Sequence, residues 1–186
     1  MAINNTRIKS WKRDVILSVD YYNEWFLKFA PDAYRRARNE AIDKVDAVLV
    51  KTQSFSAITE DILKDNPEIL AVLRMATAPP IARERLVGLA GVSKHLVETM
   101  ETGKIPRRLP LTAIKADLQK IIIMIKRLLD VDIFPWLKAQ TAPDSTNRRR
   151  AASIIADRVC GAVADPIIRN AQEARQLKAI STYLMR

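Results

Sequence analysis

Apolar residues recur about every 3.6 positions through most of the chain, which is the spacing of one face of an α-helix. The first stripe predicts a long helix that ends at Pro31, because proline lacks an amide hydrogen and its ring opposes helix. A second stripe predicts another helix over residues 32–49. No segment alternates between apolar and polar residues for long enough to predict a strand. We therefore expect an all-α fold, a multi-helix bundle.

The middle of the chain is divided into shorter predicted helices. Ser56 is the predicted cap of a helix that reaches Leu63. Asn66 and Pro67 are the residue types that favour an N-cap and a first helical position, so they predict the start of the next helix. A long helix is predicted over residues 111–129, where one face carries Ile114, Leu118, Ile121, Ile122, Ile125 and Leu128.

The last part of the chain predicts a short aromatic segment over residues 133–137, a loop over 141–147 and two final helices. These helices cover residues 148–163 and 166–185, with Asp165 as the N-cap of the second. Proline-containing breaks at residues 79 and 110 divide the sequence into three parts. The parts are residues 1–78, 79–110 and 111–186, and we expect them to form one compact domain.

Residues 83–108 have the spacing of a helix-turn-helix, an element that places its second helix in the major groove of DNA. Gly91 lies where the turn must form, because glycine adopts a positive φ at little cost. Val92 follows as an apolar plug, Ser93 can cap the second helix, and Gly103 can end it. The first helix is expected to pack inward through Leu86, Leu89 and Ala90.

The second helix of this segment is expected to bury Val97 and Met100. Lys94 and His95 are then the residues best placed to reach bases or nearby phosphates, while basic residues around the helix hold phosphates and set the register. The full predicted DNA-binding set is Arg83, Ser93, Lys94, His95, Glu98, Thr99, Lys104, Arg107, Arg108, Arg148, Arg149 and Arg150.

This segment resembles the helix-turn-helix of the Cro and phage-repressor type. The positions in register with that type are Leu86, Gly91, Val92, Ser93, Val97, Glu101 and Gly103. Two positions depart from it: Val87 stands where a small alanine is usual at the helix crossing, and Ala82 stands where a serine usually caps the first helix. A plain helical hairpin within an all-α core is the alternative interpretation.

The charge of the chain is uneven and favours a polyanionic partner. Residues 1–79 carry 12 Lys/Arg and 11 Asp/Glu, whereas residues 80–186 carry 19 and 10. Such a bias suggests nucleic acid or an anionic membrane surface, and a basic protein without such a partner is the alternative. The cluster of Arg148, Arg149 and Arg150 opposes the dipole of the predicted helix start, a conflict that a phosphate could relieve; a solvated basic turn is equally consistent.

No residues in this sequence form a recognisable catalytic or metal-binding pattern. It contains no P-loop, no HExxH and no nucleophile elbow. Cys160 is the single cysteine and is expected to be a buried small apolar residue, and His95 has no further metal ligands at a suitable spacing. The longest aliphatic run, residues 121–125, is too short to span a bilayer, so we expect a cytoplasmic protein with no membrane partner.

Two further stretches, residues 73–81 and 164–177, resemble the N-terminal region of the XamI-type restriction endonucleases. The resemblance implies a helical part that is followed, in that family, by a nuclease domain of the PD-(D/E)xK kind that binds Mg²⁺. This chain stops at Arg186, where such a domain would begin. No cofactor is therefore expected in this chain, and Mg²⁺ is expected only for the absent nuclease domain.

Together these features predict that the chain binds double-stranded DNA through a helix-turn-helix, as the recognition part of a type II restriction endonuclease. One alternative is a transcriptional regulator of the controller or repressor type, which would bind a palindrome as a dimer. The other is a helical module for protein–protein assembly. A homodimer is compatible with each of these hypotheses.

Overall fold

The computed structural model of the protein describes residues 7–106 and 110–185, and most of these residues are helical. Within these ranges the β pairing is limited to one isolated antiparallel bridge, between Thr77 and Leu129. The helices in chain order are α1 (Ile8–Lys51), α2 (Glu60–Asp65), α3 (Ile69–Met75), α4 (Arg83–Ala90), α5 (Lys94–Glu101), α6 (Leu111–Leu128), α7 (Pro135–Ala139) and α8 (Ser145–Leu184). The predicted all-α fold is confirmed.

The chain divides into two compact units. Unit 1 comprises Met1–Ala37 and Val163–Arg186, and unit 2 comprises Arg38–Ala162. The long helices α1 and α8 therefore contribute residues to both units. The predicted boundaries at residues 79 and 111 both fall inside unit 2, and the three-part division of the sequence stays a prediction.

Unit 1 is built around aromatic side chains of α1. The rings of Trp25 and Phe29 stack with their centroids 5.0 Å apart, and Tyr22 lies 6.0 Å from Trp25. Arg175 of α8 places its guanidinium carbon 3.6 Å from the ring centroid of Tyr21 and donates a hydrogen bond to the Tyr21 carbonyl. This cation–π contact and its hydrogen bond join the two helical segments of unit 1.

Unit 2 packs its shorter helices around α6. Helix α6 contacts α2 and α4, while α5 contacts α3 and α4. The covered face of α6 is the one that the sequence predicts, since the buried residues are Ile114, Leu118, Ile121, Ile122 and Ile125. Among the described helices, none combines the length and apolar character needed to cross a membrane.

Trp136 and Arg158 make long-range polar contacts that connect distant parts of unit 2. The indole of Trp136 donates to the carbonyl oxygen of Ser54 at 2.8 Å. Arg158 of α8 donates to the carbonyl oxygen of Met75 at 2.9 Å and pairs with the carboxylate of Asp130 at 3.3 Å. The hydrogen bonds to Ser54 and Met75 each satisfy a backbone carbonyl at the end of a helix or in a turn, where no helical partner exists.

The predicted break at Pro31 is wrong, because α1 continues through this residue. The buried face of α1 crosses the proline without a change of phase, through Ala30, Ala33, Ala37 and Ala41. Burial of this continuous face outweighs the cost of proline in a helix interior, about 3 kcal/mol. The regular spacing of apolar residues across Pro31 therefore indicates the extent of this helix better than the proline does.

The predicted break before Pro166 is also wrong. Helix α8 runs through it, and Asp165 is an exposed residue of the helix interior, not an N-cap. The side chain at the true helix start is Asp144, which accepts a hydrogen bond from the amide of Asn147 at 2.7 Å. The buried positions Ala156, Cys160 and Ala164 recur every four residues up to the proline.

The starts of two short helices also differ from prediction. Thr59, not Ser56, caps α2: its backbone is extended and its hydroxyl accepts from the amide of Ile62. Ser56 still belongs to the turn that follows α1. Asn66 ends α2 instead of starting the next helix, and α3 begins at Ile69.

We expect Pro31→Ala to raise the free energy of unfolding by up to about 3 kcal/mol, because alanine supplies the amide hydrogen that a helix interior uses. Urea denaturation followed by circular dichroism measures this change. Lys28→Ala, an exposed position of the same helix, is the control and should alter stability by less than about 0.5 kcal/mol. A loss of stability in Pro31→Ala would contradict a helix that is continuous through residue 31.

Candidate nucleic-acid interface

Helices α4 and α5 are joined by a tight turn at Gly91. This residue ends α4 in a left-handed conformation, with φ 61° and ψ 40°, and its amide donates to the Val87 carbonyl at 3.0 Å. An added Cβ would meet no atom within 4 Å, so the backbone conformation, not crowding, favours glycine here. Val92, the next residue, is buried, as the sequence pattern expects.

The contact between α4 and α5 is apolar and closely follows the predicted pattern, with two differences. Leu89 is 47% exposed, although the sequence interpretation placed it inside. Leu86, Val87 and Ala90 define the covered face of α4, and Leu89 lies roughly 100° around the helix from its centre. Leu96 is fully buried on α5, a position that the interpretation did not include. The full buried set of the two helices and their turn is Leu86, Ala90, Val92, Leu96, Val97 and Met100.

Both ends of α5 have partners for the free backbone groups of a helix terminus. At the start, the hydroxyl of Ser93 accepts a hydrogen bond from the amide of Leu96 at 3.1 Å. At the end, Gly103 has a φ of 78° and donates to the Met100 carbonyl at 2.8 Å. Lys104 follows directly and is exposed. The caps define the limits of α5, so its exposed face has a fixed set of residues.

The outward face of α5 carries the four predicted residues. Lys94 and His95 are exposed, while Glu98 and Thr99 are half-buried. The ammonium of Lys94 lies 3.6 Å from the carboxylate of Glu98, one turn along the helix. The hydroxyl of Thr99 donates to the carbonyl of His95 at 2.7 Å and also lies 3.5 Å from Nδ1 of the His95 ring.

A buried ion cluster holds α5 against two other helices. The carboxylate of Glu101, 9% exposed, accepts from Nε of Arg74 at 2.6 Å and from Arg83 at 2.7 Å and 2.9 Å. Arg74, whose side chain is 11% exposed, also donates to the carbonyl of Ile81 at 2.6 Å. The cluster therefore joins α3, α4 and α5. The sequence interpretation missed Arg74, whose pairing with a residue 27 positions away depends on tertiary packing.

Arg83 is predicted from the sequence to hold a phosphate, and the structure gives it a further role. Its guanidinium is bonded to Glu101, and it also lies 3.8 Å from the carboxylate of Glu98. The hydrogen bond to Glu101 and the charge of that carboxylate raise the pKa of Arg83, so it stays charged at every working pH. Its side chain is 39% exposed, so only some of its donors face solvent.

The second basic cluster lies in the first turns of α8. Arg148 is half-buried, and Arg149 and Arg150 are exposed. A shallow cavity of about 440 Å³ is lined by two of these arginines and by hydroxyl side chains, namely Ser145, Thr146, Arg149, Arg150 and Ser153. Arg107 and Arg108, which the sequence also predicts at DNA, lie outside the described residues.

Within residues 7–106 and 110–185, no three His, Cys, Asp or Glu residues are grouped so that they could hold a metal ion. Cys160 is fully buried, as the sequence predicts.

Known proteins similar to this chain are restriction enzymes. A family model, that of the XamI restriction endonuclease, matches residues 53–186, a range that contains α2 to α8. The type II restriction enzyme SalI of Streptomyces albus G is 46% identical over 183 residues, which cover 98% of this chain. The chain spans 58% of the length of this curated relative. No solved structure matches the chain significantly.

We expect Gly91→Ala to lower the free energy of unfolding by about 1–2 kcal/mol, because an L-residue with a Cβ is strained in the left-handed conformation. Gly88→Ala is the matched control, because Gly88 lies within α4 and a Cβ there would also meet no atom within 4 Å. This variant should raise the free energy of unfolding by about 1 kcal/mol. Guanidinium unfolding of the two variants measures both values. Effects of the same sign would contradict the conformation described for Gly91.

We expect Glu101→Ala to lower the free energy of unfolding by about 3–5 kcal/mol, because it leaves the buried charge of Arg74 without its partner. Glu98→Ala removes a carboxylate from the same helix, but its ion pairs are partly exposed, so its effect should stay within about 1 kcal/mol. Urea unfolding compares the two variants. Equal losses would show that the buried cluster contributes no more than the exposed pairs.

Proposed function

This chain belongs to the XamI restriction endonuclease family, and we propose that it is the helical part with which a type II restriction endonuclease binds duplex DNA. In this proposal α4, the turn at Gly91 and α5 act as a helix-turn-helix, and α5 enters the major groove. The observation that carries the proposal is the outward face of α5, which combines donors and acceptors on a helix whose opposite face is fully buried.

The contacts that hold α5 in place support this role. Sequence-specific binding is favoured when base-reading side chains are already held in position, since ordering mobile side chains on binding costs free energy. The ion cluster of Glu101 connects α5 to α3 and α4, and the Ser93 cap defines its first turn. Lys94 and His95 project from this first turn, which is the part of a recognition helix that contacts base edges in the helix-turn-helix class.

Charge supports a nucleic-acid partner as well. The excess of basic residues lies in residues 80–186, the part that contains α4 and α5. In our proposal Lys104, together with Arg107 and Arg108, contacts phosphates next to the groove and sets the register. Arg83 contributes at most its solvent-facing donors, because its remaining donors are bonded to Glu101.

We further propose that the start of α8 contacts the DNA backbone. Arginine guanidinium groups and hydroxyls are suitable donors for phosphate oxygens, and both line the cavity at Arg149 and Arg150. Arg148, the half-buried member of the cluster, would add a third donor. This contact would carry no sequence information of its own.

Cleavage is assigned, within the same proposal, to a Mg²⁺-dependent nuclease domain outside residues 1–186, as the family resemblance implies. The relative named a type II restriction enzyme is longer than the aligned part, since the chain spans 58% of it. Double-stranded DNA is then the partner of the helical part, and Mg²⁺ belongs to the nuclease domain.

Binding of the chain to a fluorescent random duplex should weaken steeply as salt is raised. Each phosphate contact contributes about 0.9 to the slope of log affinity against log salt, so Lys94→Ala combined with Lys104→Ala should lower the slope by up to about 2. Lys28→Ala, which removes one exposed lysine of α1, is the control and should change the slope by less than half as much as the double variant does.

Two results would overturn the proposal. One is the absence of duplex binding at low salt, and the other is binding that the double variant leaves unchanged. Footprinting distinguishes the remaining functions: protection of a promoter palindrome with half-sites about 10 base pairs apart would favour a regulator. A stable protein complex by light scattering, without DNA binding, would favour an assembly module.

A further inference from the structure

The outward face of α5 contains one carboxylate, that of Glu98. Its side chain is 41% exposed, and it lies one turn after Lys94 on the same helix. A carboxylate at a DNA surface is repelled by the phosphates, which offer it no hydrogen-bond donor. The charge of Glu98 would weaken DNA binding at every sequence unless a base in the groove donates a hydrogen bond to its carboxylate. A specific base partner for Glu98 is therefore expected.

Two nearby cations reduce the electrostatic cost of a carboxylate at this position. The ammonium of Lys94 lies 3.6 Å from the Glu98 carboxylate and the guanidinium of Arg83 lies 3.8 Å from it. Both distances exceed those of a charged hydrogen bond, about 2.7–2.9 Å. The pairs therefore offset part of the negative charge of Glu98 while leaving its oxygens able to accept a stronger hydrogen bond.

Glu101 shows the contrast on the same helix. Its carboxylate is 9% exposed and accepts short hydrogen bonds from two arginines, so its acceptor capacity is used within the protein. Glu98 is half-buried, and Lys94 and Arg83 are only loosely paired with it, at 3.6 Å and 3.8 Å. The two carboxylates of α5 thus have different surroundings, one internal and one facing outward.

We propose that Glu98 is a specificity-determining residue that accepts a hydrogen bond from the N4 amino group of a cytosine in the major groove. This inference rests on the proposed function of α5. Guanine presents only acceptors at its major-groove edge, and thymine presents an acceptor and a methyl group. Adenine has an amino group, but its N7 acceptor lies beside it and repels a carboxylate. Cytosine alone offers a donor without a neighbouring acceptor on the same base.

Arg83 and Lys94 then have a second role at the interface. Each is held near Glu98, so each helps to orient the carboxylate while remaining close to the DNA surface. The three side chains come from two helices, α4 and α5, whose relative position is set by the buried cluster at Glu101. Arg83 belongs to both groups, and so it links the buried cluster to the residue that reads the base.

The test is selection of duplexes from a random library by the whole 186-residue chain, followed by sequencing of the bound fraction. The unaltered chain should enrich cytosine at one position of the bound duplexes. In Glu98→Ala the preference for cytosine over the other bases at this position should fall by a factor on the order of 10 to 100. Glu98→Gln should move the preference at this position towards adenine, because a glutamine amide matches the N6 and N7 edge.

The affinity for non-specific duplex is a second readout, because a purely structural role of Glu98 would not predict that this affinity rises. It should rise in both Glu98 variants, because each removes a negative charge from the DNA-facing side. Glu84→Ala, which removes an exposed carboxylate from α4, is the control and should leave the cytosine preference unchanged. Thermal unfolding of each variant establishes that the compared proteins are folded.

The outcomes separate this inference from the proposed function. If the unaltered chain binds duplex and both Glu98 variants select the same bases as it does, the role of Glu98 is overturned and the DNA-binding proposal stands. If the unaltered chain binds no duplex at low salt, the proposed function is overturned and this inference falls with it. Loss of cytosine preference in Glu98→Ala, with the shift towards adenine in Glu98→Gln, would support it.

Discussion

The hydrogen bonds of Glu101 to Arg74 and Arg83 determine how the central helices of unit 2 are arranged. Burying one carboxylate and most of an arginine costs several kcal/mol, and close hydrogen bonds must offset that cost. Arg74 meets this condition by a further bond to the carbonyl of Ile81. Because these partners come from α3, α4 and α5, a shift of any one helix would leave a charge unpaired. The apolar contacts of Leu86, Leu96 and Met100 set the distance between helices, and the ion cluster adds a specific orientation.

This cluster also explains why charged residues of one small region behave differently. Arg83 looks like a phosphate-binding residue in sequence, yet most of its contacts are to Glu101 inside the protein. Glu98, which the sequence places on the outward face, lies there between two cations. Formal charge alone therefore does not identify a DNA-binding residue. Burial and the existing partners of each group determine whether it has donors or acceptors left for DNA.

The local preference of a residue agrees with the structure at the Gly91 turn and disagrees with it at the prolines of the two long helices. At Gly91 the local preference and the structure agree, since glycine is the residue that most easily adopts the left-handed conformation. At Pro31 and Pro166 they disagree, and the helices continue. Local preference is worth only a few kcal/mol, so the cooperative continuation of a long helix can outweigh it.

Periodicity and residue type were sufficient for the all-α class, the covered face of α6 and the turn at Gly91. These features depend on residues within one or two turns of each other, and their physical signal is local. The continuity of α1 and α8, the exposure of Leu89 and the pairing of Arg74 with Glu101 were decided only by tertiary packing. Arg74 and Glu101 are 27 positions apart, and Arg83 and Glu101 are 18 apart. No local pattern specifies such pairs, because their energy arises only after the helices that carry them have packed and excluded water.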